Sequence, residues 1–368
     1  MIRRFHGIDR HKAYSTISVL DRAGQEIRFV GACDLKGYLK ELGPQDAVVL
    51  EACGGSFWWA DRIEERGAQC FVLDPNRFRI ITESWNKTDR QDARNMAKAL
   101  WVYLVTGEFG IPTVHKPAAV IRELRKLFSG YELLNRQVRM LKNGIQAVLL
   151  EEGVALSGKE KRRLFCGHPE APSVLDGREL SEATLTVVEA ELALLARVME
   201  AKEQLGEKIV AASEPLADQV RLLMTIRGIT ALSAAAFLAD VGDIRRFRSA
   251  SKMSAYLGLV PRCRDSGGKS RPGHITRKSR RLARTMLTQS IYQVTRSSPQ
   301  LAKQYATLIE RRGAGRARIA MIRRLCGIMR RMLLTGAEFR WVSNELYERK
   351  LRNYEKTLEA ARRQRQAA

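Results

Sequence analysis

The 368-residue chain has no uninterrupted apolar run of about 18 residues. It has no leader with a charged start and an apolar middle. The expectation is therefore a soluble, cytoplasmic protein with no membrane partner. Its six cysteines, Cys33, Cys53, Cys70, Cys166, Cys263 and Cys326, are scattered without a C-x-x-C pair, which excludes a small disulfide framework. Cys166 and His168 stand close together, but no second pair follows at the spacing of a zinc site. The five histidines form no pattern. Aromatic residues are sparse in the most basic segments, with Tyr256 and Tyr292 the main ones, so base stacking on aromatic side chains is weakly signalled.

Acid is the other scarce component. Between 261 and 284 stand Arg262, Arg264, Lys269, Arg271, Arg277, Lys278, Arg280, Arg281 and Arg284 against the single acid Asp265, and eight arginines between 311 and 331 face no acid at all. Over the whole chain 64 Lys and Arg oppose 40 Asp and Glu, a formal charge of +24. That excess costs self-repulsion in the compact state and is relieved by a polyanion. Nucleic acid, gripped through its phosphates, is the expected partner.

The length suggests two or three domains. F-H-G-I-D (5–9), Y-S-T-I-S-V-L (14–20) and I-R-F-V-G-A-C (27–33) read as three consecutive strands. A helix over 35–42, a strand over 47–52, a helix over 56–66 and a strand over 69–75 follow. The resulting order βββαβαβα is that of a ribonuclease-H-like α/β domain. From 118 to 150, Leu124, Leu127, Tyr131, Leu134, Val138, Leu141, Ile145 and Val148 step by three and four as a heptad seam. A second seam runs through Leu185, Val188, Leu192, Leu195 and Met199, loses register at Lys202 and resumes at Leu205 and Ile209. The two helices either pack on each other as an antiparallel hairpin or join protomers. From 216 the chain reads as helical and small-residue-rich, then strongly basic, and it ends in a charged helix expected to fray.

Asp9 closes the first strand and Glu51 the fourth, so adjacent parallel strands place both carboxylates at one sheet edge, where acids are costly without a cation. K-T-D-R-Q-D-A-R (87–94) opens a helix, with Thr88 and Gln91 forming a capping box. Asp89 and Asp92, three residues apart, share one helical face. Four converging acids repel one another unless divalent cations lie among them. Hard oxygen ligands suit Mg2+, and a pair of such ions can hold the attacking and leaving oxygens of a phosphodiester.

G-I-D, L-E-A-C-G-G-S-F-W-W, V-L-D-P-N-R and K-T-D-R-Q-D-A-R-N-M-A, at these spacings, resemble the DEDD-type transposases of the bacterial insertion-sequence family called one-ten and eleven-eleven, also called bridge-RNA-guided recombinases. The resemblance covers nearly the whole chain. It implies a Holliday-junction-resolvase-like N-terminal domain (1–110), a central helical coiled-coil region (115–215), a mainly α, basic C-terminal transposase domain (216–345) and a charged helical tail (346–368). The four-acid metal role falls on Asp9, Glu51, Asp89 and Asp92.

G-L-V-P-R-C-R-D-S-G-G-K-S-R-P-G-H-I-T-R-K-S-R-R-L-A-R (258–284) resembles the family's C-terminal domain, in which a serine before a glycine pair is the nucleophile. The matching residue is Ser266, with Asp265 where a small polar residue is expected. Arg262, Arg264, Lys269, Arg271, Arg277, Lys278, Arg280 and Arg281 are the expected nucleic-acid contacts. The resemblance further implies double-stranded DNA at element ends and target, a structured noncoding guide RNA, a homodimer or homotetramer, and a place at the bacterial nucleoid. R-G-I-T-A (227–231) resembles the family's turn between helices, with Thr230 in place of a second glycine. Two other classes remain open on the residues alone: a metal-dependent structure-specific nuclease using water, and a non-catalytic nucleic-acid scaffold.

Overall fold

The computed structural model describes residues 1–78, 88–166, 171–266, 269–275 and 279–367, giving the backbone alone at 171, 262–266, 269–272 and 274–275. The chain divides into two compact units, Met1–Lys116 and Pro117–Ala368.

The first unit is an α/β domain. Its elements are β1 (Arg4–Arg10), β2 (Ser15–Leu20), β3 (Glu26–Cys33), α1 (Leu35–Tyr38), β4 (Asp46–Glu51), α2 (Ser56–Glu64), β5 (Gln69–Leu73), α3 (Pro75–Phe78) and α4 (Asp89–Trp101). The five strands form one mixed sheet in the order β3-β2-β1-β4-β5. β1 pairs antiparallel with β2 and parallel with β4. Strand alternation divides the apolar residues between two faces. Ile8, Ile17, Val48, Leu50 and Val72 pack with Tyr38, Ala60 and Ile63 on one side. Phe5, Leu20, Ala47, Val49 and Leu73 pack with Met96, Ala97 and Leu100 of α4 on the other.

Gly7 decides how closely α4 lies on this second face. A Cβ at that position would stand 2.0 Å from the Ala93 carbonyl oxygen and 2.4 Å from the Ala97 nitrogen, so helix backbone rests directly on strand backbone. Any side chain there lifts the helix. Thr88 caps α4, its hydroxyl accepting from the Gln91 amide at 3.2 Å. The expected capping box is half made, because the Gln91 side chain donates to Asn95 Oδ1 at 2.9 Å instead of turning back to the cap.

The second unit comprises α5 (Ala119–Glu151), α6 (Gly158–Leu164), α7 (Glu182–Ala212), α8 (Ala217–Met224), α9 (Ala231–Val241), α10 (Ala250–Tyr256), β6 (Pro261–Ser266), β7 (Lys269–Ile275), α11 (Leu282–Thr295), α12 (Pro299–Arg312), α13 (Ala314–Thr335) and α14 (Asn344–Ala367). Among the described residues of this unit the strands are those of the β6–β7 ribbon, and the other elements are helices. The long helices α5 and α7 pack on each other within the chain, with Gly144 against Glu191 and Tyr131 against Gly206, an antiparallel arrangement. The second seam breaks at Lys202 because its ammonium lies over the Tyr131 ring, 5.5 Å from the centroid. Leu185, the expected start of that seam, is exposed.

Ala234, Ala235, Ala236 and Ala239 make α9 narrow enough for every residue from Ser233 to Val241 to be buried. The turn before it is structural. Thr230 and Ser233 form a reciprocal capping box, Gly228 has φ +82°, and Lys350 Nζ donates to the carbonyls of Met224, Ile226 and Ile229. Lys350 belongs to α14, the charged helix expected to fray, which is helical from Asn344 to Ala367. Tyr354 and Leu358 are buried in the main core, and Glu214 pairs with Arg362 and Arg365.

Candidate functional site

The sheet register places the first two acids side by side. Ile8 of β1 is opposite Leu50 of β4, so Asp9 and Glu51 each stand one residue further along adjacent parallel strands. Strand alternation gives both of them the face that α4 covers, since Phe5 and Val49 lie there. Asp89 and Asp92 occupy the first turn of α4, where the helix dipole favours negative charge. The close seat at Gly7 brings that turn down toward the end of β1.

Three of the side chains converge. Asp9, His11 and Asp89 each offer a ligand atom, and these atoms lie within 4.8 Å of one another. His11 Nε2 is 3.2 Å from Asp9 Oδ2 and 3.3 Å from Asp89 Oδ2. The group could hold a metal ion. Asp92 lies within electrostatic reach of Asp9 but outside the three-residue group; Glu51, half-buried and engaged in contacts of its own, is also outside that group.

His11 is the residue that the sequence reading passed over. It stands two positions after Asp9, the separation that returns an extended chain to the same face. Its ring stacks on Tyr14, with centroids 4.6 Å apart, and the Tyr14 hydroxyl donates to Asp89 Oδ2 at 3.1 Å. On the other side, Arg10 donates to the Gly54 carbonyl and sits 3.3 Å from Cys53 Sγ. The glycine loop after Glu51 is thereby fastened to the residue after Asp9.

Burial pushes the Asp9 carboxyl above its usual range. His11 opposes that shift, whereas the carboxylates of Asp89 and Asp92 add to it. A site whose central acid is destabilised as an anion by burial and by two neighbouring acids is one a cation would relieve. The donor set, carboxylate oxygens with one imidazole, fits a divalent ion.

The Gly7 contact gives a first expected result. Gly7→Ala should lower stability by about 3 kcal/mol, the upper end of ordinary overpacking, because the obstruction is helix backbone that cannot rotate aside. Denaturant unfolding measures it, and an unchanged midpoint would show that α4 is free to shift.

The remaining expected site residues lie in the second unit. Ser266 ends β6 and is opposite Lys269, the first residue of β7, while Arg264 is opposite Arg271. Arg262 also lies on β6. Arg280 is exposed and Arg281 precedes α11. Arg277 and Lys278 fall outside the described residues, as do Gly267, Gly268 and His168. Among the described residues no helix is long and apolar enough to cross a membrane.

Residues 220–306 match the model of the transposase IS116/IS110/IS902 family. The chain is 26% identical over 304 residues to the "Probable family 20 transposase" of Pseudomonas aeruginosa, covering 79% of this chain and 80% of that one. It is likewise 26% identical to the transposase for insertion sequence element IS1111A of Coxiella burnetii, over 80% of this chain and 79% of the relative. The transposase for insertion sequence element IS1328 of Yersinia enterocolitica is 24% identical over 67% of this chain and 70% of its own.

Proposed function

This chain is a DNA transposase of the IS116/IS110/IS902 family, and from that premise we propose that it cuts and rejoins DNA through a phosphoserine intermediate formed on Ser266, with the N-terminal acids holding divalent cation. The observation that carries this reading is the convergence of Asp9 and Asp89, 80 positions apart in sequence, on one imidazole. Asp9, Asp89 and His11 would hold the ion, with Glu51 and Asp92 completing its surroundings. When bound, Mg2+ supplies positive charge for the oxygens of a phosphodiester under attack. The strand order β3-β2-β1-β4-β5, with acids at the ends of β1 and β4 and at the start of α4, supports a ribonuclease-H-like, resolvase-type catalytic domain over residues 1–110.

The Ser266 hydroxyl oxygen attacks phosphorus. The bond from phosphorus to the bridging deoxyribose oxygen breaks, and the serine proton ends on the departing hydroxyl. The ester conserves the energy of the broken bond, so reversal toward a second DNA end needs no nucleotide cofactor. Arg264 stands opposite Arg271 on a two-stranded ribbon, one pair of like charges set across from each other, and Lys269 stands opposite Ser266. Such pairing is unfavourable without an anion, and it supports a phosphate-binding role for the basic set Arg262, Arg264, Lys269, Arg271, Arg277, Lys278, Arg280 and Arg281.

The excess charge of +24 extends the reading to a structured noncoding guide RNA that selects the DNA, and the family resemblance extends it to a homodimer or homotetramer. The test is recombination of element-end DNA with target DNA by protein loaded with the RNA transcribed beside its gene. Protein freed of RNA should recombine far less, and changing the RNA should change the target. Affinity should fall roughly a thousandfold between about 50 and 200 mM salt if six or more phosphates are contacted. Equal, sequence-specific recombination by RNA-free protein would end the guide reading.

A water-using nuclease remains the second reading. With a divalent cation held by Asp9, His11 and Asp89, water would serve as the nucleophile in place of Ser266, and the fate of the cut phosphate separates the two.

A further inference from the structure

We infer that His11 is a nitrogen ligand of the cation site, held in place by Tyr14, and that the mixed donor set makes the site bind Mn2+ more tightly than Mg2+. The inference rests on the proposed metal role of Asp9 and Asp89 and adds to it a residue outside the four acids.

Three observations carry it. His11 Nε2 is enclosed, makes no aligned hydrogen bond, and stands within 3.3 Å of one oxygen of each carboxylate, the position of an atom turned toward a shared third partner. The ring is supported from behind by the Tyr14 stack. Tyr14 also reaches Asp89 through its hydroxyl, and the His11 amide donates to the Tyr14 carbonyl at 2.9 Å. One tight β1–β2 turn thus sets both the imidazole and the distant aspartate. A surface histidine with no role would gain nothing from this double fixing and would lose side-chain freedom to it.

The chemical consequence is selectivity. Carboxylate oxygens serve Mg2+ and Mn2+ alike, whereas an imidazole nitrogen adds affinity for a first-row transition ion and little for Mg2+, which holds water and oxygen more firmly. Tyr14 is a positioning residue in this account. It touches the ligands and leaves the ion to them.

The test uses the full, untagged chain titrated with Mn2+ and with Mg2+, and pulsed electron paramagnetic resonance of the Mn2+-loaded protein. The wild type should bind Mn2+ the more tightly and show coupling to a directly bound nitrogen. His11→Asn should lose that coupling and weaken Mn2+ binding about tenfold, in the range for disturbed metal shells, with Mg2+ binding little changed. Tyr14→Phe keeps the ring and should keep the coupling, and Tyr14→Leu should reduce it. If Mn2+ binds in an Asp9-dependent manner without nitrogen coupling, His11 is not a ligand and the carboxylate reading stands. If Asp9→Asn binds Mn2+ as the wild type does, the metal reading itself fails, and this inference with it.

Discussion

Single replacements Asp9→Ala, Glu51→Ala, Asp89→Ala and Asp92→Ala are each expected to lower DNA strand cleavage by about a hundredfold or more, since even outer-shell changes at metal sites cost 10–100-fold. Binding of DNA and RNA should be nearly unaffected, because these acids are assigned to cation and the arginine-rich segments to phosphate. Stability should move the other way. The Asp9 carboxyl is held above its ordinary range, first by burial and then by Asp89 and Asp92, so the folded state binds that proton more tightly than the unfolded one. Its contribution is favourable below the unfolded pKa and is lost as pH rises through the raised folded value. In the absence of divalent cations, Asp9→Asn should therefore melt higher than the wild type at neutral pH, and the difference should shrink on acidification. Adding Mn2+ or Mg2+ should stabilise the wild type and leave Asp9→Asn unmoved. Full recombination by Glu51→Ala would sink the four-acid reading.

Part of this site was legible in the amino-acid order because its determinants are local. Asp9 and Glu51 each end an apolar strand run, and Thr88 announces the helix that carries Asp89 and Asp92. The sheet needed only the periodicity of five short segments. His11 escaped because a lone histidine has no spacing partner, and its meaning comes from a turn at 11–14 and from a helix 75 residues beyond Tyr14. Gly7 escaped for a related reason. In a strand, glycine reads as weakness until the backbone of α4 is known to press on it.

The second unit was less legible. The β6–β7 ribbon lies in a stretch expected to be basic and to carry Ser266 within a mainly α domain, although Gly267-Gly268 between two runs of strand length is a recognised hairpin signal. The tail misled through charge. Lys350, Tyr354 and Leu358 recur every four residues along one face of α14, and that stripe is what docks. Its surrounding arginines and glutamates suggested a helix that frays.

Ser266→Ala is expected to abolish covalent protein–DNA complexes while retaining cation binding and nucleic-acid affinity, since it removes one hydroxyl from the end of β6 and no charge. The ribbon should survive, because its cross-strand register depends on backbone groups from Pro261 to Ile275. Recombination should fall to background. Ser266→Cys should recover little, because a thiolate is a poor match for a phosphate held against a hard cation. The decisive measurement traps a running reaction with denaturant, digests the protein and maps the peptide joined to DNA. Attachment at Ser266 supports the phosphoserine route. Ser270, opposite Asp265 on β7, and Ser279 serve as internal controls, and attachment at either would move the nucleophile without disturbing the chemistry. If Ser266→Ala still cuts DNA in an Asp9-dependent manner and no adduct forms in the wild type, water is the nucleophile. The acids of the first unit would then be sufficient for cleavage, and the basic ribbon of the second would be left with binding alone.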